Sequence, residues 1–112
     1  MDSIDDQQYI NRVISGDTNA FAVLADKYKG MVFSLTLKML KSREEAEEAA
    51  QDAFVKVYRS LAKYKGESKF STWLYTITYN TCLDRIRKNK RAQPLLAIDD
   101  YTEQQITLLD NT

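Results

Sequence analysis

Between Asn19 and Leu40 the chain places Phe21, Leu24, Tyr28, Met31, Val32, Leu35 and Met39 at steps of three and four residues. An α-helix turns once every 3.6 residues, so side chains at that spacing share one side. The stripe predicts a helix over about 19–40, weakened locally by Gly30. A shorter helix is predicted over about 5–15, with Tyr9, Ile10, Val13 and Ile14 on one side. Gly16 ends it, and Asp17 or Thr18 caps the next. Ser42-Arg43-Glu44-Glu45 has the form of a capping box, in which the Ser42 hydroxyl accepts from the Glu45 amide and Glu45 reaches back. A third helix then runs over about 43–63 on Ala46, Ala49 or Ala50, Ala53, Phe54, Val57 and Leu61. After a polar loop, 64–69, a fourth covers about 71–90, and Pro94 is its latest end. Only 3 Gly and 1 Pro occur in the chain, too few for the many tight turns of a β fold. The expected architecture is all-α, a small bundle of about four helices over 1–92. Residues 93–112 carry Asp99, Asp100, Glu103 and Asp110 without a basic residue and read as a flexible acidic linker.

Several chemistries are excluded by what the chain lacks. Cys82 is the single cysteine and there is no histidine, so neither an internal disulfide nor a Cys/His zinc site can form. The commonest general base is absent as well, and no nucleophile or metal cluster accompanies the many acids. No cofactor, metal or catalytic residue is expected. Cys82 reads as a small packing residue. No run of about 18 apolar residues is present, so no membrane span is expected. The acidic start, Met1 to Asp6, lacks the basic and apolar regions of a signal peptide. A cytoplasmic location is the expectation.

Net charge is zero, but the charges are segregated. The third helix opens with Glu44, Glu45, Glu47, Glu48 and Asp52 and closes with Lys56, Arg59 and Lys63. That order complements the helix dipole, which alone could account for it. A second reading rests on spacing: Glu48, Gln51 and Asp52 fall at i, i+3 and i+4 and form one polar face able to dock a basic helix. The fourth helix is apolar on more than one side. Phe70, Trp73, Leu74 and Ile77 cluster on one face, with Tyr75, Tyr79, Cys82 and Ile86 roughly opposite. A bundle this small cannot bury all of them, so some aromatic surface is exposed. The helix ends in Arg85, Arg87, Lys88, Lys90 and Arg91. Rings beside a basic cluster suit single-stranded nucleic acid, since bases stack and cations follow phosphates. The alternative is that the rings are core and the bases cap a helix C-terminus.

These segments resemble the bacterial sigma factors of the extracytoplasmic-function type. Ala46-Glu47-Glu48-Ala49-Ala50-Gln51-Asp52-Ala53-Phe54 is similar to the A-E-D-x-x-Q-E-x-F helix of region 2.2. Phe70-Ser71-Thr72-Trp73-Leu74-Tyr75-Thr76-Ile77-Thr78-Tyr79-Asn80 is similar to the F-x-T-W-L-x-x-I-x-x-N segment of regions 2.3 and 2.4. Gly16-Asp17, Ala20-Phe21, Leu24 and Tyr28 resemble region 2.1. The likeness implies a helical region 2 domain that binds core RNA polymerase, at the clamp coiled coil of its largest subunit, through Glu48, Gln51 and Asp52. It implies capture of the melted promoter −10 element, the non-template single strand, by the loop from Tyr64 to Lys69 and by the last helix. The DNA-binding residues would be Tyr64, Lys65, Ser68, Lys69, Phe70, Trp73, Thr76 and Asn80, with Arg85, Arg87 and Lys88 on phosphates and Lys56 and Arg59 beside the strand. An anti-sigma factor is an implied partner. Ala49-Ala50 replaces a large apolar residue of the family pattern, which implies looser docking. Trp73 stands alone where the major sigma factors have a tryptophan pair. The region 4 helix-turn-helix is missing, so the resemblance implies a chain cut short at its linker.

The implied function is transcription initiation without catalysis. The competing reading is a helical adaptor whose aromatic surface is sealed by a partner protein.

Overall fold

A computed structural model of the chain describes residues 2–92, and side chains from Asp6 to Lys90. The segment read as a linker, 93–112, lies outside the described residues. Four helices follow in order: α1 (Asp2–Ile14), α2 (Thr18–Met39), α3 (Arg43–Ser60) and α4 (Phe70–Ala92), with a short 3-10 turn, Leu61–Lys63, after α3. The bundle is all-α and has no strand among the described residues. No helix among them is long and apolar enough to cross a membrane.

Local chemistry accounts for the breaks. At the end of α1 the Gly16 amide donates to the Val13 carbonyl (2.9 Å) and the Asp17 amide to the Arg12 carbonyl (2.9 Å). This paired closure needs a residue at positive φ, and Gly16 supplies it at +110°. The Arg12 guanidinium spans the same turn to the Asp17 carboxylate at 2.9 Å. Asp17 is therefore the N-cap residue of α2 by position, while its side chain caps no amide. Ser42 does cap α3, its hydroxyl accepting from the Glu45 amide at 3.1 Å. The expected reciprocal bond is replaced by a tertiary one, because the Glu45 carboxylate accepts from Asn89 on α4 at 3.0 Å. The predicted end of the third helix, near Lys63, is a tightened turn: the Leu61 amide bonds the Tyr58 carbonyl, an i→i+3 contact, as helix ends often do.

The core has two parts. The larger joins Ile10 and Val13 of α1, Leu24, Tyr28 and Val32 of α2, Ala53 and Val57 of α3, and Phe70 and Leu74 of α4. The smaller joins Leu40, Ala49 and Cys82. Ala46, Ala49 and Ala53 are wholly buried, so α3 approaches its neighbours closely. Ala49 thus faces inward, and its small size bears on helix packing and not on a docking face.

One buried group has no apolar reading. The Asp6 side chain, on α1, is 3% exposed and pairs with Lys27 Nζ on α2 at 2.8 Å. It also accepts from the buried Tyr28 hydroxyl. A buried carboxylate is tolerated when paired and hydrogen-bonded, and here it clasps α1 to α2. Asp6→Ala is expected to remove the carboxylate that joins Lys27 and Tyr28 and to lower stability by about 1–3 kcal/mol, with Asp6→Asn losing less. Urea melts of the two variants check the order.

Candidate functional site

Helices α3 and α4 run antiparallel and meet along a polar seam. From one end to the other, Glu45 pairs with Asn89 (3.0 Å), Glu48 and Asp52 with Arg85 (3.0 and 2.9 Å), and Lys56 with the Thr81 hydroxyl (3.3 Å). Lys56 also lies 4.0 Å from Asp84. The seam residues recur every three or four positions on α3 and every four on α4, as a straight contact between helices requires. Arg85 is held on two carboxylates at once. Burial works against its charge, but the hydrogen bonds it donates to Asp52 and Glu48, with their negative charge, outweigh it and hold the guanidinium above its ordinary pKa.

Outward of the seam, Glu48, Gln51 and Asp52 are exposed together on α3. Two further residues extend that face: Val55 (46% exposed) and Tyr58 (43% exposed). Tyr58 stands edge-on to Phe21 of α2, ring centroids 5.1 Å apart. Sequence reasoning missed both. The steps 48, 51, 55 and 58 would have found them, had the face been followed past the acids.

The second surface is built by the loop before α4. Tyr64, Phe70 and Trp73 form one aromatic group, with centroids 5.8 Å (Tyr64–Phe70), 5.0 Å (Tyr64–Trp73) and 5.9 Å (Phe70–Trp73) apart. Phe70 is buried and also meets Tyr28 at 5.7 Å, so it supports the group from the core and does not present a surface. Trp73 and Tyr64 are half-buried. Burial, aided by the nearby Asp6 charge, pushes the Tyr64 phenol above its ordinary pKa. That hydroxyl donates to the Ser68 carbonyl and closes the loop. Gly66 makes the turn at φ +77°. Lys65, Ser68 and Lys69 are exposed around it.

From the loop, a stripe runs down α4 through Trp73, Thr76, Asn80, Asp84 and Arg87 at steps of three and four. Thr76 and Asn80 are exposed, and Arg87 lies 3.9 Å from Asp84. The basic cluster is thereby divided. Residues two apart on a helix point about 200° apart, so Arg87 belongs to this stripe and Arg85 to the α3 seam. Tyr75 is exposed, as expected of some ring on this helix, and Cys82 is the expected packing residue, buried against Leu40 and Ala49.

The family model described as Sigma-70 region 2 matches residues 24–92. The chain belongs to the sigma-70 family. Its similarity reaches the RNA polymerase sigma-H factor of Pseudomonas aeruginosa, 39% identical over 89 residues, covering 80% of this chain and 46% of that protein. The ECF RNA polymerase sigma factor SigW of Bacillus subtilis is 44% identical over 81 residues, 72% of this chain and 43% of the relative. The ECF RNA polymerase sigma-E factor of Escherichia coli is 35% identical over 98 residues, 88% and 51% respectively. The chain thus spans about half the length of these sigma-factor relatives.

Cys82 is wholly buried in this region 2 domain. Burial raises its thiol from an ordinary 9.0 to about 11, against the pull of Arg85 and Lys56. The folded chain should resist alkylation at neutral pH and react once denatured, which a thiol titration with and without urea checks. Between pH 9.0 and about 11 the unfolded chain releases a proton that the folded chain keeps, so stability falls as pH rises through that window.

Proposed function

We propose that this domain serves transcription initiation by binding alone. The outer face of α3 joins it to core RNA polymerase, and the 64–69 loop with the α4 stripe holds single-stranded promoter DNA of the −10 element. The observation that carries the reading is the separation of the two surfaces. Glu48, Gln51, Asp52, Val55 and Tyr58 make an acidic and apolar face on α3. Tyr64, Lys65, Ser68, Lys69, Trp73, Thr76 and Asn80 make a polar, ring-backed face continuous with Arg87 and Lys88. The first suits a basic helical partner. The second suits a strand, with a base against the ring group and phosphates along the helix.

Promoter opening in this reading is differential binding. Drawing a base out of the duplex costs a few kcal/mol, and stacking on a ring returns about 1–3 kcal/mol per base. The Tyr64 bond to Ser68 supports a loop already shaped to receive the base. An anti-sigma factor is proposed as a regulator that competes for one of these faces.

Two contact classes should fail in different ways when polymerase carrying the 112-residue chain is titrated with a strand selected from a randomised pool and with its scrambled counterpart. Arg87→Ala should weaken both strands equally and reduce the salt slope by about 0.7 for the lost phosphate. Asn80→Ala should narrow the gap between the strands and leave the slope nearly intact. Equal binding of the two strands by the unmodified chain would instead fit a protein adaptor. For the α3 face, Gln51→Lys should weaken binding to core polymerase while shifting stability by less than about 0.5 kcal/mol, since Gln51 is exposed. Unchanged polymerase affinity would remove Gln51 from the interface.

A further inference from the structure

We infer that Arg85 is a positioning residue for the docking acids Glu48 and Asp52, and not a phosphate contact. The inference rests on the docking role proposed above for the α3 face. Its starting point is geometric. The two guanidinium nitrogens reach two different carboxylates, Glu48 Oε1 at 3.0 Å and Asp52 Oδ2 at 2.9 Å. The Arg85 side chain is 23% exposed, while those of Glu48 and Asp52 are 56% and 55% exposed. The cation therefore lies beneath the acids, on their α4 side, and the acids face outward over it.

Three physical consequences follow from that placement. Glu48 and Asp52 are four residues apart on one helix, where like charges repel. Arg85 relieves the repulsion and ties one oxygen of each carboxylate, so each has its second oxygen to offer a partner. A planar guanidinium has a fixed fork that serves both acids together, which a lysine ammonium does not. A side chain already held in place loses less freedom on binding, so docking is favoured by what the free domain has already ordered. Phosphate binding by Arg85 would need it to leave two carboxylates and to reach around α4 to the stripe that carries Arg87.

Arg85 also subtracts charge from the docking face, and this opposes long-range attraction to a basic partner. The two effects separate in kinetics: charge acts mainly on association and held geometry on dissociation. Immobilised 112-residue chain is exposed to bacterial core RNA polymerase, comparing the unmodified chain, Arg85→Ala, Arg85→Lys, the pair Glu48→Ala with Asp52→Ala, and all three alanines together. Arg85→Ala should dissociate about fivefold to tenfold faster, and Arg85→Lys about threefold faster. On the double-alanine background the Arg85→Ala effect should vanish, which a merely structural role would not produce. The salt slope for the selected strand should stay at its unmodified value in Arg85→Ala.

Circular dichroism confirms that each variant folds; should Arg85→Ala not fold, Arg85→Lys decides, since it keeps the stem and the charge. Unchanged or slower dissociation overturns the inference. So does an Arg85 effect that persists without the acids, or a salt slope that falls as in Arg87→Ala. An unmodified chain that polymerase does not bind overturns the docking reading and the inference with it. A double-alanine variant that loses affinity while the Arg85 variants do not overturns the inference alone.

Discussion

The close antiparallel approach of α3 to α4 is the constraint on which both candidate surfaces depend. Buried alanines at 46, 49 and 53 bring α3 near its neighbours without the bulk that would hold them apart. The polar seam then fixes the register. Exposed ion pairs are individually worth only about 0.2–1 kcal/mol, so Arg85 and its acids contribute less to holding the helices together than to setting which residues stand opposite. Sliding α4 by one residue would carry Thr81, Arg85 and Asn89 off their partners together and rotate Trp73 away from Tyr64.

The aromatic group is the second consequence of that packing. Phe70 sits in the core against Tyr28 and carries Tyr64 and Trp73 on its outer side. The ring surface is therefore backed by the same core that stabilises the fold, and its shape is set before any strand arrives. A ring cluster built this way cannot be softened without loosening the bundle. Any change that relaxes Leu74 or Val57, both wholly buried, acts on Tyr64 and Trp73 as well.

Much of this was legible in the chain alone. The period of Phe21, Leu24, Tyr28 and Val32 reported α2, and Ser42 with Glu45 reported the start of α3, because both signals are local. The face bearing Glu48, Gln51 and Asp52 was visible for the same reason. What escaped depends on contacts between distant residues. Asp6 looked like one acid among several at an acidic start, yet 21 residues separate it from Lys27. Arg85 looked like one base of a cluster, because composition counts charges and does not say which side of the helix each occupies. Phe70 was grouped with the candidate DNA-binding residues although the fold turns it inward.

The clasp at Asp6 bears on what counts as the folding unit. The family model matches from Leu24 onward, but Ile10 and Val13 of α1 sit in the main core, and Asp6 accepts from the buried phenol of Tyr28. That phenol ring touches Phe70, which carries Tyr64 and Trp73. Helix α1 thus belongs to the core that backs the aromatic group. An excised 24–92 piece would expose apolar surface beneath the very rings it was cut out to study.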